Sequence, residues 1–148
     1  MTKNKILLLT VACLILIFAV SSIFVLMQKT AFSEKDFSLQ VDLSKNVFNV
    51  GEKIAFNATI TNRSGIDVNI WSNGQQPYAF FHNISDTTPH GEITVRVDQV
   101  FKANEEITQN YEFEANDSGT YILEVQYHIY VNNIAIQEKI ENIVISVN

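Results

Sequence analysis

Phe37-Ser38-Leu39-Gln40-Val41-Asp42-Leu43 alternates apolar and polar side chains without a break. Residues two apart along an extended chain share a face, so this stretch reads as a strand with one dry face and one wet face. The same period returns in Ile54-Ala55-Phe56-Asn57-Ala58-Thr59-Ile60 and in Ile66-Asp67-Val68-Asn69-Ile70-Trp71. Between those two, Asn62-Arg63-Ser64-Gly65 has the composition of a hairpin turn. Lys45-Asn46 and Asn49-Val50-Gly51-Glu52 mark earlier turns. Further strands are expected over residues 78–84, 93–101, 107–113, 120–131 and 134–147, with Asn132-Asn133 turning the last pair. No stretch after residue 28 sustains a helical apolar stripe. Seven to nine short strands over residues 37–148 predict an all-β domain, an immunoglobulin-like antiparallel β-sandwich.

One local motif sharpens that expectation. Asp117-Ser118-Gly119-Thr120-Tyr121 has the D-x-G-x-Y spacing of a tyrosine corner, whose phenol bonds back to the backbone a few residues upstream. Asp117, Gly119 and Tyr121 are thus candidate structural residues. Antibody domains carry a cysteine two residues after that tyrosine, and Leu123 stands there in this chain. Trp71, on an early strand, is the candidate core tryptophan of such a sandwich.

Upstream of the strands lies a different kind of sequence. Ile6 to Met27, ILLLTVACLILIFAVSSIFVLM, holds no charge, and only Thr10, Ser21 and Ser22 are polar. As a helix it extends roughly 33 Å, against about 30 Å of bilayer hydrocarbon. The chain is therefore expected to comprise a tail over 1–5, one N-terminal transmembrane helix over 6–27, a tether over 28–36 and the sandwich over 37–148. A cleavable leader fits poorly, since cutting after the small residues near Ala19 leaves SIFVLM as an apolar new terminus. The expected location is the cell membrane, as a single-pass protein. Lys3 and Lys5 precede the span while Lys29 and Lys35 follow it, so the positive-inside rule leaves the side of the domain open.

Charge and cysteine count exclude several classes. The chain carries 10 Lys plus Arg against 16 Asp plus Glu, a net charge of -6. Without Lys3 and Lys5 the remainder stands at 8 against 16, or -8. That balance argues against nucleic acid, whose phosphates need clustered cations. Cys13 is the only cysteine, so no intramolecular disulfide and no cysteine-rich zinc site can form. His82, Asp86 and His90 fall within nine residues, but their spacing fits no common metal motif and a polar surface turn is the simpler reading. No serine occupies a G-x-S-x-G elbow, and Glu112 and Glu114 flank Phe113 as a solvated sheet face does. Four N-x-S/T sequons, at Asn57, Asn62, Asn83 and Asn116, matter only in a eukaryotic secretory pathway. The expectation is a non-enzyme with no metal and no cofactor.

What remains is a surface. Residues 71–82, WSNGQQPYAFFH, form the most aromatic segment outside the apolar span. Alternation puts Tyr78, Phe80 and His82 on one face and Phe81 on the other. Trp71, Tyr78, Phe80, Phe81 and His82 are therefore the candidate partner-binding residues, since aromatic side chains make good anchors for a protein or peptide. An acidic domain also attracts cationic partners at low salt.

Two resemblances add to this reading. Phe48-Asn49-Val50-Gly51-Glu52-Lys53-Ile54, followed by Ala58-Thr59-Ile60-Thr61-Asn62-Arg63-Ser64-Gly65, resembles a bacterial immunoglobulin-like group that includes the Bacillus intracellular proteinase inhibitor domains. That likeness implies the sandwich, and as an alternative function a membrane-held inhibitor module with residues 73–77 as its contact. The whole layout of one N-terminal span, a short tether and a small acidic, Asn- and Ile-rich β domain resembles the sublancin-type bacteriocin immunity family of Bacillus. This second likeness implies a non-catalytic protein that protects a producer cell, with an antimicrobial peptide or its membrane target as partner. A further alternative is an accessory subunit of a membrane or envelope complex.

Overall fold

The computed structural model describes residues 13, 15–17, 32–86 and 95–148, with backbone alone at 141 and 142. The chain divides into two compact units, Met1–Phe32 and Ser33–Asn148. In the first, residues 13 and 15–17 are helical. The rest of the span expected over 6–27 lies outside the described residues, as do the tail over 1–5 and the tether up to residue 31. Among the described residues no helix is long and apolar enough to cross a membrane.

The second unit is all-β. After a 3₁₀ turn, Glu34–Asp36, come β1 Phe37–Leu43, β2 Val47–Phe48, β3 Lys53–Asn62, β4 Val68–Asn73, β5 Tyr78–Asn83, β6 Arg96–Phe101, β7 Glu106–Glu114, β8 Gly119–Val131 and β9 Ile134–Val147. The turn takes up the end of the expected tether. Ser33 and Asp36 cap it reciprocally, with the Ser33 N–H donating to the Asp36 carboxylate at 2.8 Å.

The strands form two sheets. The smaller runs β1-β3-β7, and the larger runs β2-β9-β8-β4-β6 with β5 also on β8. All pairs are antiparallel except the short β2–β9 contact. In immunoglobulin lettering these orders are A-B-E and A′-G-F-C-C′, which makes the topology immunoglobulin-like. The inner rows interlock between the sheets. Ile54, Phe56, Ala58 and Ile60 from β3 meet Val125, Tyr127, Ile129 and Val131 from β8 in the buried set, each 4% exposed or less. Phe37 stacks on Phe101 at 6.0 Å and meets Tyr127 edge-on at 6.4 Å.

The structure corrects three expectations. Asn62-Arg63-Ser64-Gly65 is no hairpin, because β3 and β4 belong to different sheets. The segment arches between the layers around a fully buried Asn62. Its Nδ2 lies 2.9 Å from the carbonyls of Ile66, Phe101 and Lys102, and its Oδ1 accepts from the Ser64 N–H and hydroxyl. A polar side chain thus satisfies backbone groups that no strand reaches. Second, between the two expected turns at 45–46 and 49–52 lies a short strand that was not expected, β2, which gives β9 a two-residue parallel partner. Third, Trp71 is not the core tryptophan. Its neighbours Ile70 and Ser72 take the inward positions, at 3% and 1% exposure, and the indole faces out.

The Asn132-Asn133 turn, in contrast, joins β8 and β9 as expected, with Val131 opposite Ile134. Both asparagines sit at positive φ, 50° and 63°, as a two-residue type I′ hairpin requires. Further along, β9 carries one extra residue opposite Glu124, where the register slips between Leu123 and Val125. That bulge moves the inward row from Ile136 and Ile140 to Ile143, Ile145 and Val147, so both halves of a long strand serve one core.

Candidate functional site

The outer faces of the two sheets differ in kind. That of the smaller sheet is polar: Thr59 and Thr108 share a hydrogen bond at 2.9 Å, and Lys53 pairs with Glu112 at 2.7 Å. A shallow depression there is lined by Asp42, Ala55, Asn57, Asn110 and Glu112 among others. The larger sheet instead carries a ladder of rings. Trp71 on β4 sits directly opposite Tyr130 on β8 and Asp98 on β6. The indole and phenol rings stack at 3.7 Å with 4° between their planes. His128 continues the stack from Tyr130 at 4.8 Å.

Arg96 lies over the other side of the indole, 4.6 Å from its centroid. Its guanidinium also grips Asp98 with two nitrogens, Nε at 2.9 Å and Nη2 at 2.6 Å. That hydrogen bonding holds the Asp98 carboxyl below the ordinary carboxylate range and raises the guanidinium in turn. A cation over a tryptophan face is attracted by the ring quadrupole, so Arg96 and Tyr130 together fix the indole plane.

Further along β8, Gln126, Glu124 and Ile122 stand opposite Tyr78, Phe80 and His82 of β5. Tyr78 and Phe80 meet edge-to-face at 5.5 Å. Glu124 pairs with Lys139 of β9 at 3.0 Å. Both ion pairs on this face are internal to it, so it presents paired charge and aromatic surface, although residues 33–148 carry 16 acidic against 7 basic side chains.

Trp71, Tyr78, Phe80 and His82 therefore share this outer face, as alternation requires. Phe81 does not: it points between the sheets and stacks on Phe113 at 5.3 Å and Tyr121 at 4.9 Å. Tyr130 and Arg96 are partners that reading the 71–82 segment alone misses. Tyr130 is recoverable from the Asn132-Asn133 hairpin, which fixes the parity of β8, whereas nothing local ties Arg96 to Trp71. The Tyr121 hydroxyl donates to the Asp117 carbonyl at 3.0 Å. Between them Gly119 has φ +155°, and a Cβ there would lie 3.3 Å from Asn83 Nδ2.

The segment between β4 and β5 is the 73–77 stretch expected as an inhibitor contact. Both strands lie along the same edge of β8, β4 against 129–131 and β5 against 121–126. Residues 74–77 connect them, and the buried Gln76 side chain fills the gap, its Oε1 accepting the His128 N–H at 2.9 Å. Pro77 is fully buried, and its carbonyl accepts the Tyr111 hydroxyl at 2.6 Å. Within the 73–77 stretch Gln76 and Pro77 are thus inside, while Asn73 and Gln75 are exposed.

Among the described residues no three His, Cys, Asp or Glu side chains are grouped to hold a metal ion. His90 lies outside the described residues. No protein-family model matches the chain, and no curated protein matches its sequence. Solved structures with some likeness include the CARDB domain of a Pyrococcus furiosus protein, at 15% identity and TM-score 0.41 over 76% of this chain and 94% of that one. Another is the sporulation control protein Spo0M of Bacillus subtilis, at 14% identity and TM-score 0.39 over 76% of this chain and 49% of that one. A third is a Listeria innocua β-glucosidase, at 15% identity and TM-score 0.40, where the match spans 76% of this chain but only 16% of the enzyme. Likenesses this distant do not bear on what the chain does.

Proposed function

We propose that this chain is a non-catalytic binding protein, held at a cell membrane by its apolar 6–27 segment, whose binding surface is the outer face of the larger sheet. The observation that carries the reading is the Trp71–Tyr130 stack with Arg96 above it. Rigid aromatic rings on a sheet lose little conformational freedom when a partner covers them, which is why they anchor interfaces. The face is half-buried at Trp71, Tyr78, Phe80 and Tyr130, so a partner has apolar area left to cover. The most specific form of the reading is bacteriocin immunity, with an antimicrobial peptide or its membrane target as the partner. Anchoring would raise the domain's effective concentration where such a peptide acts.

The test begins with expression of the full chain in a sensitive Bacillus strain lacking its own immunity genes, followed by titration with sublancin. Immunity predicts a rise in the inhibitory concentration, lost on deleting residues 1–27 and lost again in Trp71→Ala. No rise, with the protein confirmed in the membrane, removes the immunity reading for that peptide. Trp71 is the only tryptophan, so its emission reports directly on whether an added partner covers this face.

A further inference from the structure

The smaller sheet ends at β7, a nine-residue edge longer than the six-residue β6 that ends the larger sheet. β7 pairs with β3 along its whole length, from Glu106 opposite Thr61 to Glu114 opposite Lys53. No strand among the described residues pairs with its other side. In a nine-residue antiparallel strand, about four residues turn their N–H and C=O toward each side, so a row of unmet backbone groups faces outward. Two of the other edges are guarded. β2 is two residues long, and β1 is covered where the inward-facing Glu138 carboxylate accepts the Leu39 N–H at 3.2 Å. A long edge without an inward charge is the kind that accepts another strand.

The side chains of β7 specify what that strand would be. Its inward row, Ile107, Gln109, Tyr111 and Phe113, is only half-buried, whereas the neighbouring row on β3 is closed: Ile54, Ala58 and Ile60 are 0% exposed. The core is incompletely covered at this flank, and an added strand would lay alternate apolar side chains over it. The outward row is Glu106, Thr108, Asn110, Glu112 and Glu114, with Lys53 its nearby cation. An added strand would place its other side chains opposite those carboxylates, where Lys or Arg is favoured. A second copy of this chain fits badly, since antiparallel pairing centred on Asn110 sets Glu106 against the other copy's Glu114. We propose that the outer edge of β7 binds an extended segment of another polypeptide that alternates basic and apolar residues, adding it as a fourth strand to the smaller sheet. This site lies on a different sheet from the aromatic face and stands or falls separately from it.

The test uses the full chain in nonionic detergent micelles and a fluorescein-labelled nine-residue peptide alternating Lys with Ile and Val, read by anisotropy. Two further peptides carry N-methyl groups on one or the other alternate set of backbone amides. Strand addition uses only one set, so one methylated peptide should lose binding at least about tenfold while the other binds like the parent. Replacing Glu106, Glu112 and Glu114 together by Gln should weaken the parent peptide about tenfold. Trp71 emission should not change on binding. Equal binding by both methylated peptides would mean charge attraction alone, and overturns the proposal. So does absence of binding by the parent peptide, or a shift in Trp71 emission, which would put the peptide on the aromatic face instead.

Discussion

Two tyrosines in β8 should respond in opposite directions when each loses its hydroxyl. Tyr127 is fully buried among Phe37 and the inner rows, and its hydroxyl has no hydrogen-bond partner among the described residues. Burial, and then the nearby negative charges of Glu138 and Glu34, push its pKa far above the ordinary phenol value, so it remains a neutral but unsatisfied donor. Leaving such a group without a partner costs about 1–3 kcal/mol. Phenylalanine keeps the ring and removes the group, so Tyr127→Phe should stabilise the fold by about 1 kcal/mol, raising Tm by about 4 °C for a domain of this size. Tyr121 is the reverse case. Its hydroxyl makes a 3.0 Å bond to the Asp117 carbonyl near the surface, so Tyr121→Phe should cost about 0.5–1 kcal/mol and lower Tm by a few degrees. Thermal and urea unfolding of the full-length protein in detergent, followed by near-ultraviolet circular dichroism, measures both. A Tyr127→Phe variant destabilised by about 1 kcal/mol or more would refute the argument. It would mean that the buried hydroxyl is bonded, with Glu138 the obvious acceptor because it stands opposite Tyr127 in the β8–β9 register.

Three further outcomes are expected. Asn62→Ala removes a buried amide that serves three carbonyls and Ser64, and should cost about 3 kcal/mol or more in urea unfolding; a loss under about 1 kcal/mol would show that water replaces it readily. Gln76→Leu leaves the His128 N–H without its acceptor, so hydrogen exchange at that amide should accelerate relative to its neighbours in β8, and unchanged protection would contradict the bridging role. Glu52, lowered by its hydrogen bond from Lys45 and then by the Asn49 backbone, and Asp98, lowered by Arg96, should both titrate below the ordinary carboxylate range in carboxyl NMR. Because their folded values are depressed, the stability they add is present above the unfolded values and is lost as pH falls through the folded ones. Ordinary values for both would mean that these exposed pairs do not persist in solution.

The strands were largely legible because a half-buried strand must alternate, and the rows of β1, β3, β7 and β8 do. The boundaries of Phe37–Leu43 come directly from that constraint. Sheet membership was not legible. Asn62-Arg63-Ser64-Gly65 has the same composition whether it closes a hairpin or arches between layers, and only the pairing of β3 with β7 decides between them. Trp71 misled for a related reason. Its strand was right, but its face depends on the parity of Ile70 and Ser72, and a one-residue difference exchanges core for surface.

The residues that close the fold left a signal that a search for periodicity passes over. In Ile54, Phe56, Ala58, Ile60 and Asn62 the fifth member keeps the parity of a buried row while changing chemistry. Glu138 does the same between Ile136 and Ile140. A polar side chain in an inward row is costly unless it finds hydrogen-bond partners. In both positions the partners are backbone groups that the sheets leave over: carbonyls at the arch for Asn62, and the Leu39 N–H at the edge of β1 for Glu138. The polar exceptions to an apolar row therefore mark where a sandwich needs side chains to complete its main-chain hydrogen bonding. On that criterion the inward row of β7 has one exception, Gln109, and no strand among the described residues pairs with the edge beside it. Glu138 thus occupies a main-chain donor of β1, and the proposed added strand would do the same for the unpaired side of β7.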